Sequence, residues 1–229
     1  MAAGEPNFVG IINGDLAYIE DFPYYAFIAK DDRLHCGGAF IERDLVLTAA
    51  HCLKDDDIVV YPGITETSDL ETKKGYEVKE VVPHPDYLKF GGTDVDIGLI
   101  RLRRKIKLGG TAQLIELAEE APFVDEKATV VGFGAMKCKG RRCKKSKKRS
   151  KHLRSASLTI DEIRDDGTLV TTSRGNKNTC YGDSGSPVIY EEKVVGVVSS
   201  GEYSNCTGYD EQSPVFTMLD WIEETKDEI

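Results

Sequence analysis

"NTCYGDSGSPVIY", residues 178–190, sets Ser184 between an aspartate and a glycine, in a turn that leads into an apolar run. Gly, Asp and Ser are ordinary turn residues, so Gly182-Asp183-Ser184-Gly185 alone fits a loop between strands as well as it fits a nucleophile. A serine hydroxyl is a poor nucleophile at neutral pH and needs a base within hydrogen-bond reach. The meaning of the stretch therefore depends on whether the chain supplies a base, a group to orient it, and partners for the flanking cysteines.

Four histidines are available. His152 lies in a run of positive charge and reads as solvated. His84, between two prolines in "VVPHPDY" (81–87), reads as a rigid surface turn. His35 stands beside Cys36 and two glycines in an apparent strand. His51 follows "LVLTAA" (45–50) and precedes Cys52, at the mouth of an apolar strand where a bridge would fix the backbone. Taken singly, a histidine at such a place is more often structural than catalytic.

Working outward, strand signals dominate. "YYAFIAK", "LHCGGAFI", "IVVYPG", "YEVKEVV", "DIGLIRL", "KATVVGFG", "SASLTI", "TLVTTS", "SPVIY", "KVVGVVSS" and "SPVFT" are short apolar or β-branched runs parted by Gly, Pro and Asp. Only "MLDWIEETKDEI" (218–229) reads as a helix. Many short strands with regular turns point to antiparallel sandwiches or barrels and away from βαβ units. The 229 residues suffice for one large domain or two small barrels, and the weak stretch at 109–121 is a plausible bridge between halves. No apolar run approaches the length that spans a bilayer.

"LTAAHC" (47–52) together with "GDSGSP" (182–187) resembles the chymotrypsin-like serine protease family. "IING" (11–14) resembles that family's mature amino terminus, "HCGGAFI" (35–41) the strand before its histidine, and "DIGLIRL" (96–102) the strand bearing its aspartate. "GFG", "VVGVVSSG" and "PVFTMLDWIEE" resemble parts of the second half and the terminal helix. The order His, Asp, Ser also agrees with this family. The resemblance implies an all-β fold of two antiparallel six-stranded β-barrels with a C-terminal α-helix. The expected divisions are a leader-like segment over 1–10, one barrel over 11–108, and the second barrel with the helix over 109–229.

The resemblance also assigns roles. Ser184 attacks the scissile carbonyl, His51 takes and returns the proton, and Asp96 orients the imidazole. Asp94 reads as a loop acid. The N–H groups of Gly182 and Ser184 form the oxyanion hole, and Ser199 stands beside the buried aspartate. Ile11, once its amine is freed, pairs with Asp183, so the intact chain is expected to have little activity. Cys36 pairs with Cys52 and Cys180 with Cys206. Cys138 and Cys143 match no common family bridge and are paired with each other as a local ring. A zinc site is disfavoured by the cysteine spacing, and no metal or cofactor is implied.

Several features depart from the family pattern. The substrate-binding positions are Asn178, Ser199, Ser200 and Gly201. Asn178 stands where trypsin-like members carry an acid, so a chymotrypsin- or elastase-like preference is expected, although Asp210 or Glu211 is available to lend charge. Pro214 falls where a small residue is common. Val9-Gly10 precede Ile11 without the usual Lys or Arg. The expected form is a zymogen, a chain with an artificial leader in place of a secretory signal, or one cut after small residues.

The formal net charge of -9 conceals an uneven distribution. Of the 30 Lys and Arg, 11 lie within 137–154, a stretch without a single acid. That run is a candidate docking site for a polyanion or acidic protein. Nucleic acid ranks lower, because no aromatic residue is interleaved to stack on bases. Asn205-Cys206-Thr207 fits a glycosylation sequon. The reading is a secreted, monomeric serine endopeptidase acting on protein or peptide, without membrane attachment. The alternative is a catalytically weak or inactive homologue that works by binding through its cleft or basic loop.

Overall fold

The computed structural model describes residues 10–54, 57–135, 149–172, 177–201 and 206–229. A two-residue strand, β1 (Asp15–Leu16), precedes the first barrel, which is built from β2 (Tyr25–Lys30), β3 (Arg33–Glu42), β4 (Leu45–Thr48), β5 (Ile58–Pro62), β6 (Tyr76–Pro83) and β7 (Gly98–Leu102). These close antiparallel in the order β2-β3-β4-β7-β6-β5. After β8 (Glu116–Leu117) comes the second barrel. Its strands are β9 (Lys127–Gly132), β10 (Arg154–Ile163), β11 (Leu169–Thr172), β12 (Pro187–Tyr190), β13 (Lys193–Gly201) and β14 (Asp210–Pro214). The order β9-β10-β11-β14-β13-β12 closes where β12 meets β9 again. Closure leaves neither barrel an open edge, which is how short antiparallel strands avoid pairing with another chain.

Phe27, Phe40, Leu45, Leu47, Leu99 and Ile100, drawn from both faces of their strands, are buried in the cluster that contains the first barrel; Val130, Leu158, Ile160, Leu169, Val188 and Val195 are buried in the second. Phe133 lies edge-on to Phe27 with ring centroids 5.1 Å apart and against Tyr25 at 5.9 Å, so aromatic packing joins the barrels. Truncating a buried ring such as Phe27 costs about 3–5 kcal/mol.

The chain ends cross over. β1 pairs with β10, and Ile11 is buried in the second barrel's core. The terminal helix Leu219–Glu228 instead turns Ile222 and Trp221 onto the cluster that contains the first barrel.

Three readings are corrected here. The end of "VVPHPDY" (81–87), read as a surface turn, opens a short helix, Pro85–Phe90. His84 caps it by accepting from the Asp86 N–H at 3.2 Å and is buried against Trp221. His152 is not simply solvated, because its Nδ1 meets Glu66 at 3.1 Å. The last strand runs over Asp210–Pro214, not over "SPVFT", because its ladder with β13 pairs Gly201 with Asp210 and Gly196 with Pro214.

Candidate active site

His51 sits in a one-turn 3-10 helix, Ala50–Leu53, directly after β4. The Cys36–Cys52 disulfide ties that turn to β3. Asp96 stands just before β7, which is paired with β4, so ladder geometry alone brings the two residues together. His51 donates its backbone N–H to Asp96 Oδ1 at 2.9 Å, and its Nδ1 lies 2.6 Å from Asp96 Oδ2. Facing a carboxylate, Nδ1 holds the proton and Nε2 is left as the ring's basic nitrogen.

Asp96 is 3 % exposed. Burial alone would raise its pKa, but the hydrogen bonds and charge of His51 and the hydroxyl of Ser199 outweigh burial and hold it below the usual carboxylate range. Ser199 reaches it through a bulge. β13 pairs Val198 with Gln212 and Ser200 with Glu211, and the skipped residue, Ser199, donates its Oγ to Asp96 Oδ2 at 2.6 Å. Ser213 on β14 donates to the Asp96 carbonyl at 2.9 Å, so the second barrel holds the aspartate from behind.

Ser184 comes from the loop before β12. Its carbonyl accepts from the Gly37 N–H at 2.8 Å, and the Thr48 hydroxyl donates to the Gly37 carbonyl at 2.8 Å, which clips the serine loop onto the histidine barrel. Gly185 has φ 77, and a Cβ there would strike Thr48 and the Gly37 carbonyl, so only glycine fits this crossing. His51, Asp96 and Ser184 line one cleft of about 710 Å³, together with Cys180, Gly182, Ser199, Ser200, Gly201 and Asp210.

The family model described as Trypsin matches residues 11–222. This chain belongs to the trypsin family. It is 32 % identical over 218 residues to "Trypsin" of Simulium vittatum, an alignment covering 83 % of this chain and 82 % of that protein. It is 29 % identical over 235 residues to "Vitellin-degrading protease" of Bombyx mori, covering 94 % and 85 %. Among solved structures, mouse neuropsin, a serine protease, superposes with a TM-score of 0.83 at 25 % identity, covering 94 % of this chain and all of that one. Human heparin binding protein superposes at 0.80 with 24 % identity, covering 93 % and 96 %, which speaks for the fold alone. The chain is thus a serine protease of chymotrypsin fold, and trypsin-family membership implies peptide or protein substrates. Among the described residues, no helix is long and apolar enough to cross a membrane.

Within this trypsin-family cleft, the remaining sequence-derived residues fall into place unevenly. The Cys180–Cys206 disulfide forms and borders the cleft. Asn178 does not line it; the side chain is 5 % exposed and donates to the Gly208 carbonyl at 2.8 Å. Asp183 is wholly buried beneath the serine loop, accepting from the N–H of Gly134 at 2.7 Å and of Cys180 at 3.0 Å. Burial pushes its pKa up to about 7, the two N–H donors and the charge of Arg149 only partly offset this, and the carboxylate of Asp210 adds to the rise. Cys138, Cys143, Asn205 and positions 137–148 of the basic run lie outside the described residues. Cys36, His51 and Cys52 bring three potential metal-ligating atoms together, but the disulfide uses both sulfurs and leaves no thiolate to bind an ion.

Ser213 and Arg149 carry little signal in the sequence as contributors to the site, while Glu211 reads there only as an acid available to lend charge. Ser213 carries no motif and acts only through the β13–β14 register. Arg149 lines the cleft beside Gly182. Glu211 accepts from Ser200 at 3.0 Å and Thr93 at 3.1 Å while pairing with Arg164 at 2.7 Å. Burial raises the Glu211 pKa, but these partners together bring it below its ordinary value.

Proposed function

We propose that this protein is a secreted endopeptidase that hydrolyses peptide bonds through an acyl-enzyme formed on Ser184. Ser184 Oγ adds to the scissile carbonyl while His51 Nε2 takes its proton. The negative charge that develops on the carbonyl oxygen is met by the N–H groups of Gly182 and Ser184. His51 then gives the proton to the departing amine, and water, deprotonated by the same imidazole, releases the acid product. Asp96 fixes the ring and stabilises its cationic form. The observation that carries this reading is the His51–Asp96 pair facing the same cleft as Ser184.

Activation follows from the wholly buried Asp183. A carboxylate there is held by two N–H groups and, even with the charge of Arg149 acting on it, burial dominates and pushes its pKa up to about 7, an expensive arrangement in a dry interior. The amine freed by cleavage before Ile11 is the cation assigned to it. In support, Ile11 is already buried in the second core and Ile12 bridges Asn178, five residues before Asp183.

A fluorophosphonate probe on the chain before and after cleavage ahead of Ile11 tests the reading. Labelling of Ser184 in the cleaved chain, lost in His51→Ala, is expected. A cleaved, folded chain that neither labels nor turns over peptides would mark a homologue that acts by binding.

A further inference from the structure

A second cavity, of about 750 Å³, shares no lining residue with the catalytic cleft. One side of it is the segment 114–119, which joins the barrels. The Ile115 N–H donates to the Phe40 carbonyl of β3 at 3.0 Å, and the Ala118 N–H donates to the Val194 carbonyl of β13 at 3.0 Å. The other side is the terminal helix, tied to the first barrel where Arg101 Nη2 donates to the Lys226 carbonyl at 2.6 Å. Both sides are thus fixed to barrel strands, and the groove is formed before anything enters it.

Its lining joins two chemistries. Ile41, Leu114, Leu117 and Leu219 supply apolar surface, and Leu114 is 39 % exposed. Glu42, Glu116, Glu119 and Glu223 stand around them against one lining cation, Lys226. Lys226 is already taken, pairing with Glu223 and lying 3.8 Å from Glu42. Glu42 also meets Arg101 at 3.5 Å and Glu116 meets Lys193 at 3.7 Å, whereas Glu119 has no ion pair among the described residues. The side chains of Glu42, Glu116 and Glu223 are 41 %, 83 % and 62 % exposed, so much of this charge still faces water. The surroundings have the same sign. Residues 114–120 hold three Glu and no cation, and the helix Leu219–Glu228 holds five acids and one Lys.

We propose that this groove docks a basic, amphipathic segment of a partner polypeptide, whose apolar side chains cover the leucines and whose Lys or Arg reach the glutamates. Apolar surface rimmed by charge is the anatomy of a recognition site. A purely apolar occupant would strip water from the carboxylates without pairing them, and a purely charged one would leave Leu114 uncovered. Lys and Arg meet both demands, since their aliphatic stems lie on apolar surface while their charged heads reach outward. The same negative field repels nucleic acid and anionic lipid, which leaves a cationic polypeptide as the complementary occupant. Because groove and cleft have no residue in common, a segment bound here leaves the cleft open, and docking needs no turnover.

The test is a fluorescence-anisotropy titration of the full chain with a labelled peptide of alternating Lys and Leu, beside Lys/Ser and Glu/Leu peptides. Glu119→Lys and Leu114→Ser change the groove at exposed side chains, and Glu162→Lys makes the same charge change at an exposed position outside it. The Lys/Leu peptide should bind saturably and weaken about tenfold with either groove substitution. Glu162→Lys should weaken it by less than about twofold, being screened from the groove by salt. The Lys/Ser peptide, lacking apolar side chains, should bind about tenfold more weakly. Either groove variant decides alone, and an unchanged Tm shows that it has folded. No saturable binding, equal binding of the Glu/Leu peptide, or an equal loss with Glu162→Lys overturns the proposal, the last by reducing it to general attraction toward an acidic body. Sedimentation of the chain without peptide closes the remaining case. A dimer that Leu114→Ser dissociates would give the groove to a second copy and overturn the partner assigned to it.

Discussion

On the first-barrel side of the cleft, Asp96 receives the His51 imidazole and backbone N–H from its own barrel, and the Ser199 hydroxyl reaches across from the second. On the second-barrel side, Asp183 and Asp210 are as deeply buried, yet their hydrogen-bond donors are backbone N–H groups and neutral side chains, with the charge of Arg149 acting on Asp183 without offsetting its burial. The same burial leaves Asp96 below its ordinary pKa and the other two near 7. Burial therefore does not decide the charge of a carboxylate; the partners do. The first-barrel half is complete as folded. The second-barrel half holds its two acids chiefly by neutral donors, and the amine freed before Ile11 is the cation proposed above for Asp183.

The most severe way to break this contrast is to unmake Asp96. Asp96→Asn keeps the shape but lets the histidine adopt the wrong tautomer, and kcat should fall on the order of 10⁴-fold. Steady-state hydrolysis of a peptide ester or amide measures it; a loss below tenfold would mean that the pair with His51 is only structural. Next is Asp183. In the cleaved chain, Asp183→Asn should lower kcat by roughly 10²–10³-fold, the effect of disturbing one oxyanion donor. The uncleaved chain should be nearly unaffected by that change, because the amine is not yet present. Equal losses in both forms would remove Ile11 from the scheme.

The sequence was legible where local signals and long-range geometry agree. The alternation of short apolar runs and turn residues pointed to antiparallel sandwiches or barrels, and the resemblance carried by "LTAAHC", "DIGLIRL" and "GDSGSP" implied the two barrels. It was less legible where function depends on register. "DEQSPVFT" carries a strong apolar run at its end, so the strand was read there. Instead the ladder with β13 begins at Asp210, and that offset moves an acid into the cleft and Pro214 away from it. The bulge that turns Ser199 toward Asp96 is equally silent in the sequence, since nothing in "VVSSG" says which serine is skipped. His84 was misread for a related reason. Flanking prolines suggest an exposed turn, but the terminal helix returns from the far end of the chain to cover it.

The gentlest test concerns stability. Asp210 titrates near pH 7 in the folded chain and near pH 4, about the ordinary value, when unfolded. Its folded pKa is raised, so between these values the folded state holds a proton that the unfolded state has lost. The stability this confers is complete below about pH 4 and disappears as pH rises through about 7. Asp183 faces Asp210 and behaves alike. Asp96 and Glu211 have lowered values and lose their contribution only as pH falls into and below the ordinary carboxylate range. His84, lowered by its burial, loses stability as pH falls below about 6.5. The wild-type curve is thus a balance, but the difference between wild type and Asp210→Asn reports Asp210 together with the effect of its charge on Asp183. As pH rises from 5 to 8, the Tm of the variant should gain on that of wild type by about 4 °C or more, at about 2–4 °C per kcal/mol for a chain of this size. A difference that stays flat would mean Asp210 is already a well-partnered anion at pH 5, and the contrast between the two sides of the cleft would vanish.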